Sequence, residues 1–228
     1  MLGSVSAVDT TDPVIALTYD DGPDPQHTPA VLAALARHDA RATFFVLAEQ
    51  AEAAPELLRR TRAEGHQIGL HGAQHLDLTR SSLREIITVV RDGRRRLEAV
   101  LGEPVRHFRP PYGRQTVRSR LLVRAYGMDA ILWSTNSRDC FQADIDDYVT
   151  NALNGLTPGG IIVLHDGYAG PDHRDTTAEA QPPNFDKGEL TNRLLDAIAT
   201  RGWTTIPVNT LLTHGPTRRA LWLGSNDP

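Results

Sequence analysis

Short β-branched apolar runs alternate with amphipathic helical stretches about seven times along this chain, and nothing else in it constrains the fold as strongly. The strand-like runs are Val14–Leu17, Thr43–Leu47, Gln67–Leu70, Val105–Phe108, Met128–Trp133, Ile161–Leu164 and Trp203–Val208. Helical spacing fills the intervals, most clearly over Ser82–Leu101, where Leu83, Ile86, Ile87, Val90, Leu97 and Leu101 keep the 3.6-residue period behind a Ser82–Glu85 capping box. Strands joined through helices run parallel, so an α/β fold is expected, either a curled, incomplete barrel or an open sheet. No linker or compositional break divides the chain. Residues 1–12 read as a flexible leader, 13–215 as one folded domain and 216–228 as a C-terminal tail.

The bulk properties exclude more than they specify. A net charge of -4 argues against a nucleic-acid partner or an anionic membrane surface. Cys140 is the single cysteine, so no internal disulfide forms. No apolar run reaches the roughly 20 residues a membrane span requires, and the N-terminus lacks the basic and apolar regions of a signal peptide. A cytoplasmic protein is the expectation.

The polar residues that carry chemistry fall at one kind of place. Asp20 and Asp21 follow the first strand, His71 the third, Arg109 the fourth, Asn136 the fifth and His165 the sixth. In a parallel α/β fold the C-terminal strand ends share one rim, so residues far apart in sequence converge there. Neighbouring strand residues point to opposite faces, so Asp20 and Asp21 serve one site only where the chain is already turning, as Gly22-Pro23 suggests. His71 and His75 stand at i, i+4, a spacing that brings two imidazoles to one ion. The zinc-protease helix motif needs Glu directly after the first His, and Gly72 occupies that place. Two imidazoles and a carboxylate from across the rim make a three-ligand, open metal site.

Thr18–Pro23, His71–His75, Arg109–Tyr112 and the Val163–His165 strand end, in this order, resemble the successive motifs of the polysaccharide deacetylases, carbohydrate esterase family four. The resemblance spans about Val14 to Leu212 and implies a distorted, incomplete (β/α) barrel. It implies a hydrolase that removes N-acetyl groups from an acetylated amino sugar or glycan. Asp20 would be the general base, held by Arg109, and His165 the general acid. Asp21, His71 and His75 would hold a divalent metal, zinc first, with cobalt, nickel or manganese as alternatives. Tyr112 would offer its backbone N–H to the oxyanion, and Pro111, Trp133, Asn136, Asp139 and Val163 would line the substrate site. An O-acetyl esterase or other amide hydrolase on the same scaffold is the alternative, followed by a glycan-binding module without turnover.

Three departures from the family pattern stand out. Gly72 replaces the usual Ser or Thr, Cys140 replaces a pocket-lining Trp, and Asn136 stands where an Asp would tune the acid histidine. An amide cannot stabilise an imidazolium as a carboxylate does, so a lowered His165 pKa is expected. The polar segment Tyr168–Lys187, with His173 inside it, reads as a loop beside the site. His27, His38, His66, His107 and His214 read as surface or structural residues.

Overall fold

The computed structural model describes residues 3–170 and 183–221. Its strands are β1 (Ser4–Val8), β2 (Val14–Asp20), β3 (Thr43–Leu47), β4 (Gln67–Gly72), β5 (His107–Phe108), β6 (Asp129–Ala130), β7 (Thr135–Asn136), β8 (Ile161–His165), β9 (Thr204–Thr205) and β10 (Thr217–Ala220). The helices are α1 (Thr28–Arg37), α2 (Ala48–Ala53), α3 (Pro55–Ala63), α4 (Leu83–Ile87), α5 (Gly93–Leu101), α6 (Val117–Ala125), α7 (Ile145–Leu153), α8 (Lys187–Thr200) and α9 (Val208–Leu211). Strands pair in the order β6-β5-β4-β3-β2-β8-β7, with β9 beside the start of β2, and every pairing in this curled sheet is parallel. The half-barrel expected from the sequence is the fold. Among the described residues, no helix is long and apolar enough to cross a membrane.

Strand periodicity sorts the apolar residues into two cores. Ile15, Leu17, Tyr19, Phe44, Val46, Ile162 and Leu164 face outward, under the helices. The alternate positions, Ala16, Phe45, Ile161 and Val163, fill the inside of the curl with Val5, Trp133, Val208 and Leu211. The inward line of β2 therefore ends in Asp20, that of β8 in His165 and that of β4 in His71. Asp20 and His165 are direct register partners.

Both chain ends correct the sequence reading. Residues 4–8, expected within a flexible leader, form β1, whose Val5 and Val8 are buried. β1 pairs antiparallel with β10, which lies in the segment expected to be a tail. It also touches both sides of the open barrel, through bridges from Val5 to Ile131 and from Ala7 to Gly160. A curled sheet that does not close leaves an apolar seam and unpaired backbone, and this short strand covers them.

The long helix is interrupted as well. Residues 88–92 form a π-helical segment between α4 and α5, and the widened turn leaves the Val89 carbonyl free to accept the Ala73 N–H at 2.9 Å. Gly93, an apparent defect in the sequence pattern, sits where a Cβ would lie 2.6 Å from the Ala73 nitrogen. Helix and metal-ligand loop touch backbone to backbone.

Candidate active site

The site begins with the turn after β2. Asp20 ends the strand pointing inward, and parity would send Asp21 outward. Asp21 instead adopts φ 75°, a left-handed conformation that Asp tolerates better than most residues, and this swings its carboxylate into the same cup. Gly22 follows because the chain passes against the buried Asp166 carboxylate, 2.2 Å from where a Cβ would sit. Asp166 is clamped by Thr28 Oγ1 at 2.5 Å, and burial pushes its pKa up to about 7.

Asp21 Oδ1 lies 3.5 Å from His71 Nε2 and 3.6 Å from His75 Nε2, and the three donor atoms lie within 4.8 Å of one another. Asp21 Oδ1 is buried and has no hydrogen-bond partner among the described residues. A buried carboxylate oxygen left so, facing two imidazole nitrogens, is what a divalent cation satisfies. The second ring nitrogen of His71 is fixed by the Arg109 carbonyl at 2.9 Å, which leaves Nε2 as the ligand atom. Burial holds His75 down at about 4, against the pull of Asp21, so this imidazole is neutral at ordinary pH. Burial opposes ionisation of Asp21, but His75, His165 and His71 together with the Ala169 N–H hold its pKa at about 2. One anion and neutral imidazole form the donor set that a metal requires.

Arg109 is fully buried behind Asp20 and donates from Nη1 to Asp20 Oδ1 at 2.8 Å and to Thr18 Oγ1 at 2.7 Å. Its Nη2 reaches the Leu132 carbonyl at 3.1 Å, and its guanidinium lies over the Phe45 ring at 4.2 Å. Buried this completely, the pair fixes the direction in which Asp20 aims its free oxygen. That oxygen lies 3.9 Å from His71 Nε2.

On the other side stands His165, whose Nδ1 is 2.7 Å from Asp139 Oδ1 and whose backbone N–H donates to Asp139 Oδ2 at 2.9 Å. Burial alone would lower its pKa, but Asp139, by charge and hydrogen bond, raises it to about 9 with help from Asp21 and Asp20. The expected lowering of His165 is therefore wrong, and so is the assignment behind it. Asn136 is not the hydrogen-bond partner of His165: its Oδ1 accepts the Arg138 N–H at 2.8 Å, and Arg138 at φ 60° turns the chain so that Asp139 reaches the imidazole. Asp139, read from the sequence as a substrate contact, is the group that holds the His165 imidazole. Lys187 was missed: it is buried, and its Nζ donates to the His165 carbonyl at 2.8 Å. It closes a polar stretch with no periodic signal, so nothing in the sequence marks it.

A cavity of about 320 Å³ joins these groups, lined by Asp20, Asp21, His71, His75, Asp139 and His165. Tyr112, Trp133, Asn136 and Val163 line it as expected, together with Cys140, Phe141, Tyr168 and Lys187. Pro111 is buried in the turn that carries Tyr112 and does not line the cavity. Tyr112 has φ 59°, and its ring packs on His75 with centroids 4.2 Å apart. In the segment Tyr168–Lys187, residues 171–182, His173 among them, lie outside the described residues.

Fold and site together define a half-barrel hydrolase with a metal-ligand triad set between a clamped carboxylate and a clamped imidazole. The polysaccharide deacetylase family profile matches residues 7–131. A chitooligosaccharide deacetylase from Sinorhizobium fredii is 35% identical over 203 residues, covering 89% of this chain and 93% of the relative. A peptidoglycan-N-acetylglucosamine deacetylase from Bacillus cereus is 31% identical over 209 residues, covering 91% and 92%. Among solved structures, the Bc1960 peptidoglycan N-acetylglucosamine deacetylase superposes with a TM-score of 0.80 at 25% identity, covering 93% of this chain and 94% of that one. The chain belongs to the polysaccharide deacetylase family.

Proposed function

We propose that this protein hydrolyses the N-acetyl group of an N-acetylglucosamine unit within a glycan, with zinc held by Asp21, His71 and His75. The carrying observation is the pair of clamps: Arg109 on Asp20 and Asp139 on His165, both opening on one cavity beside the triad. When bound, the cation polarises the acetyl carbonyl and acidifies the attacking water. Asp20, its other oxygen tied to Arg109, takes the proton from that water. The Tyr112 backbone N–H is assigned to the oxyanion of the tetrahedral intermediate. His165, kept cationic by Asp139, then protonates the departing amine, which is a poor leaving group while unprotonated. The substrate class rests on the relatives, one named for chitooligosaccharides and one for peptidoglycan N-acetylglucosamine.

Acetate release from N-acetylglucosamine oligomers, with and without chelator, tests the reading. Turnover should vanish on chelation, return with zinc, and fall about 10²–10⁴-fold in Asp20→Asn while the metal stays bound. Acetate released from acetylated xylan alone would replace amide by ester hydrolysis. Oligomer binding without turnover in the zinc-loaded protein would remove catalysis altogether.

A further inference from the structure

Away from the catalytic cup, α6, β6 and β10 enclose a cavity of about 240 Å³ lined by Arg120, Arg124, Asp129 and Arg219. Among the described residues, three guanidinium groups and one carboxylate line it. Arg120 is 5% exposed, and it spends one nitrogen, Nη2, on the Gly3 carbonyl at 3.0 Å. Its Nε and Nη1 are buried and have no hydrogen-bond partner among the described residues. Arg219 donates from Nη1 to the same carbonyl at 3.0 Å, and its Nη2 stands 3.9 Å from Asp129 Oδ1, too far for a hydrogen bond.

A buried guanidinium with two empty donors is costly, because its hydration is lost and nothing replaces it. Asp129, the carboxylate among the described lining residues, makes no hydrogen bond to Arg120 or Arg219, so the buried donors of Arg120 are left empty. The missing partner is therefore an acceptor with several oxygens and negative charge, small enough for this space. We infer that this cavity is an oxyanion site, taking a tetrahedral anion of the phosphate type on Arg120, Arg124 and Arg219. Guanidinium groups suit such a ligand because they stay charged and offer several donors at fixed angles. Held there, the anion ties α6 to β10, and through β10 to the strand that covers the barrel seam.

The test is a titration of the whole protein with inorganic phosphate at constant ionic strength, read by calorimetry and thermal unfolding. Wild type should show saturable binding and a rise in Tm that sodium chloride does not reproduce. Arg120→Gln should weaken that binding about tenfold or more, as loss of a charged hydrogen-bond donor set does. Arg219→Ala, at a half-buried position, provides a second variant should the first fail to fold, and should weaken binding without changing deacetylase turnover. Phosphate held on a metal in the catalytic cup would persist in both variants, so only the difference from wild type counts. Identical titrations for wild type and variants, or an equal Tm rise with chloride, overturn the site.

Discussion

His75 and His165 sit in the same cup, and both are largely buried, yet their environments drive them to opposite charge states. Burial wins at His75 and leaves it neutral, with a pKa of about 4, on the side that offers lone pairs to a cation. At His165 the Asp139 carboxylate outweighs burial and raises the pKa to about 9, on the side that must hold a proton. One residue type thus stands in two charge states within one cup, as the proposed ligand and acid roles require, and the difference is a single carboxylate at 2.7 Å. Asp21 does not play that part for His75, because it is shared between two imidazoles at 3.5 and 3.6 Å.

The most severe way to break this division is to remove the ligand anion. Asp21→Ala should lose its bound metal, measured by elemental analysis, and all detectable acetate release with it, while the half-barrel still forms. Next in size is Asp139→Asn. A general acid works only while protonated, so wild-type rate should decline as pH rises through about 9. Without the Asp139 carboxylate, only the charges of Asp21 and Asp20 still oppose burial, and the falling limb should move down by about 2 pH units, toward the ordinary histidine value. A pH–rate profile of each protein decides this, and coincident profiles would separate Asp139 from the acid's chemistry. Gly72→Ala should cost less: at φ 123°, its new Cβ would meet the Gln74 carbonyl and Val89 Cγ1, each at 2.9 Å. A loss of about 1–3 kcal/mol in stability and weaker metal binding are expected, by denaturant unfolding and metal competition. Asn136→Asp should do least, leaving the limb near pH 9 almost unmoved, since the imidazole Nδ1 is already taken by Asp139 and the residue 136 oxygen by the Arg138 N–H.

The sequence made the metal side of this comparison legible and the acid side only half so. Asp20, His71 and His165 lie on inward strand positions that end at one rim, and a period of two is visible in the letters. The loop 134–139 is different. Arg138 takes a left-handed conformation that its identity does not announce, so counting along the motif placed Asn136, not Asp139, against His165. β1 and β10 escaped for another reason: five and four residues carry too little pattern to be told from loop, and their pairing is fixed by the seam they cover. The break in the long helix was hidden because Leu83 to Leu101 keeps its apolar period through the widened turn.

That widened turn makes the metal loop sensitive to length as well as to composition. The Val89 carbonyl meets the Ala73 N–H only because the helix holds one more residue than a regular winding would seat over that span. Deleting a single residue between Thr88 and Asp92 would restore ordinary winding, return the Val89 position to the regular i→i−4 ladder and withdraw the carbonyl that accepts the Ala73 N–H. The ion's surroundings would then be disturbed from a distance, with every ligand, clamp and lining side chain still in its place in the sequence.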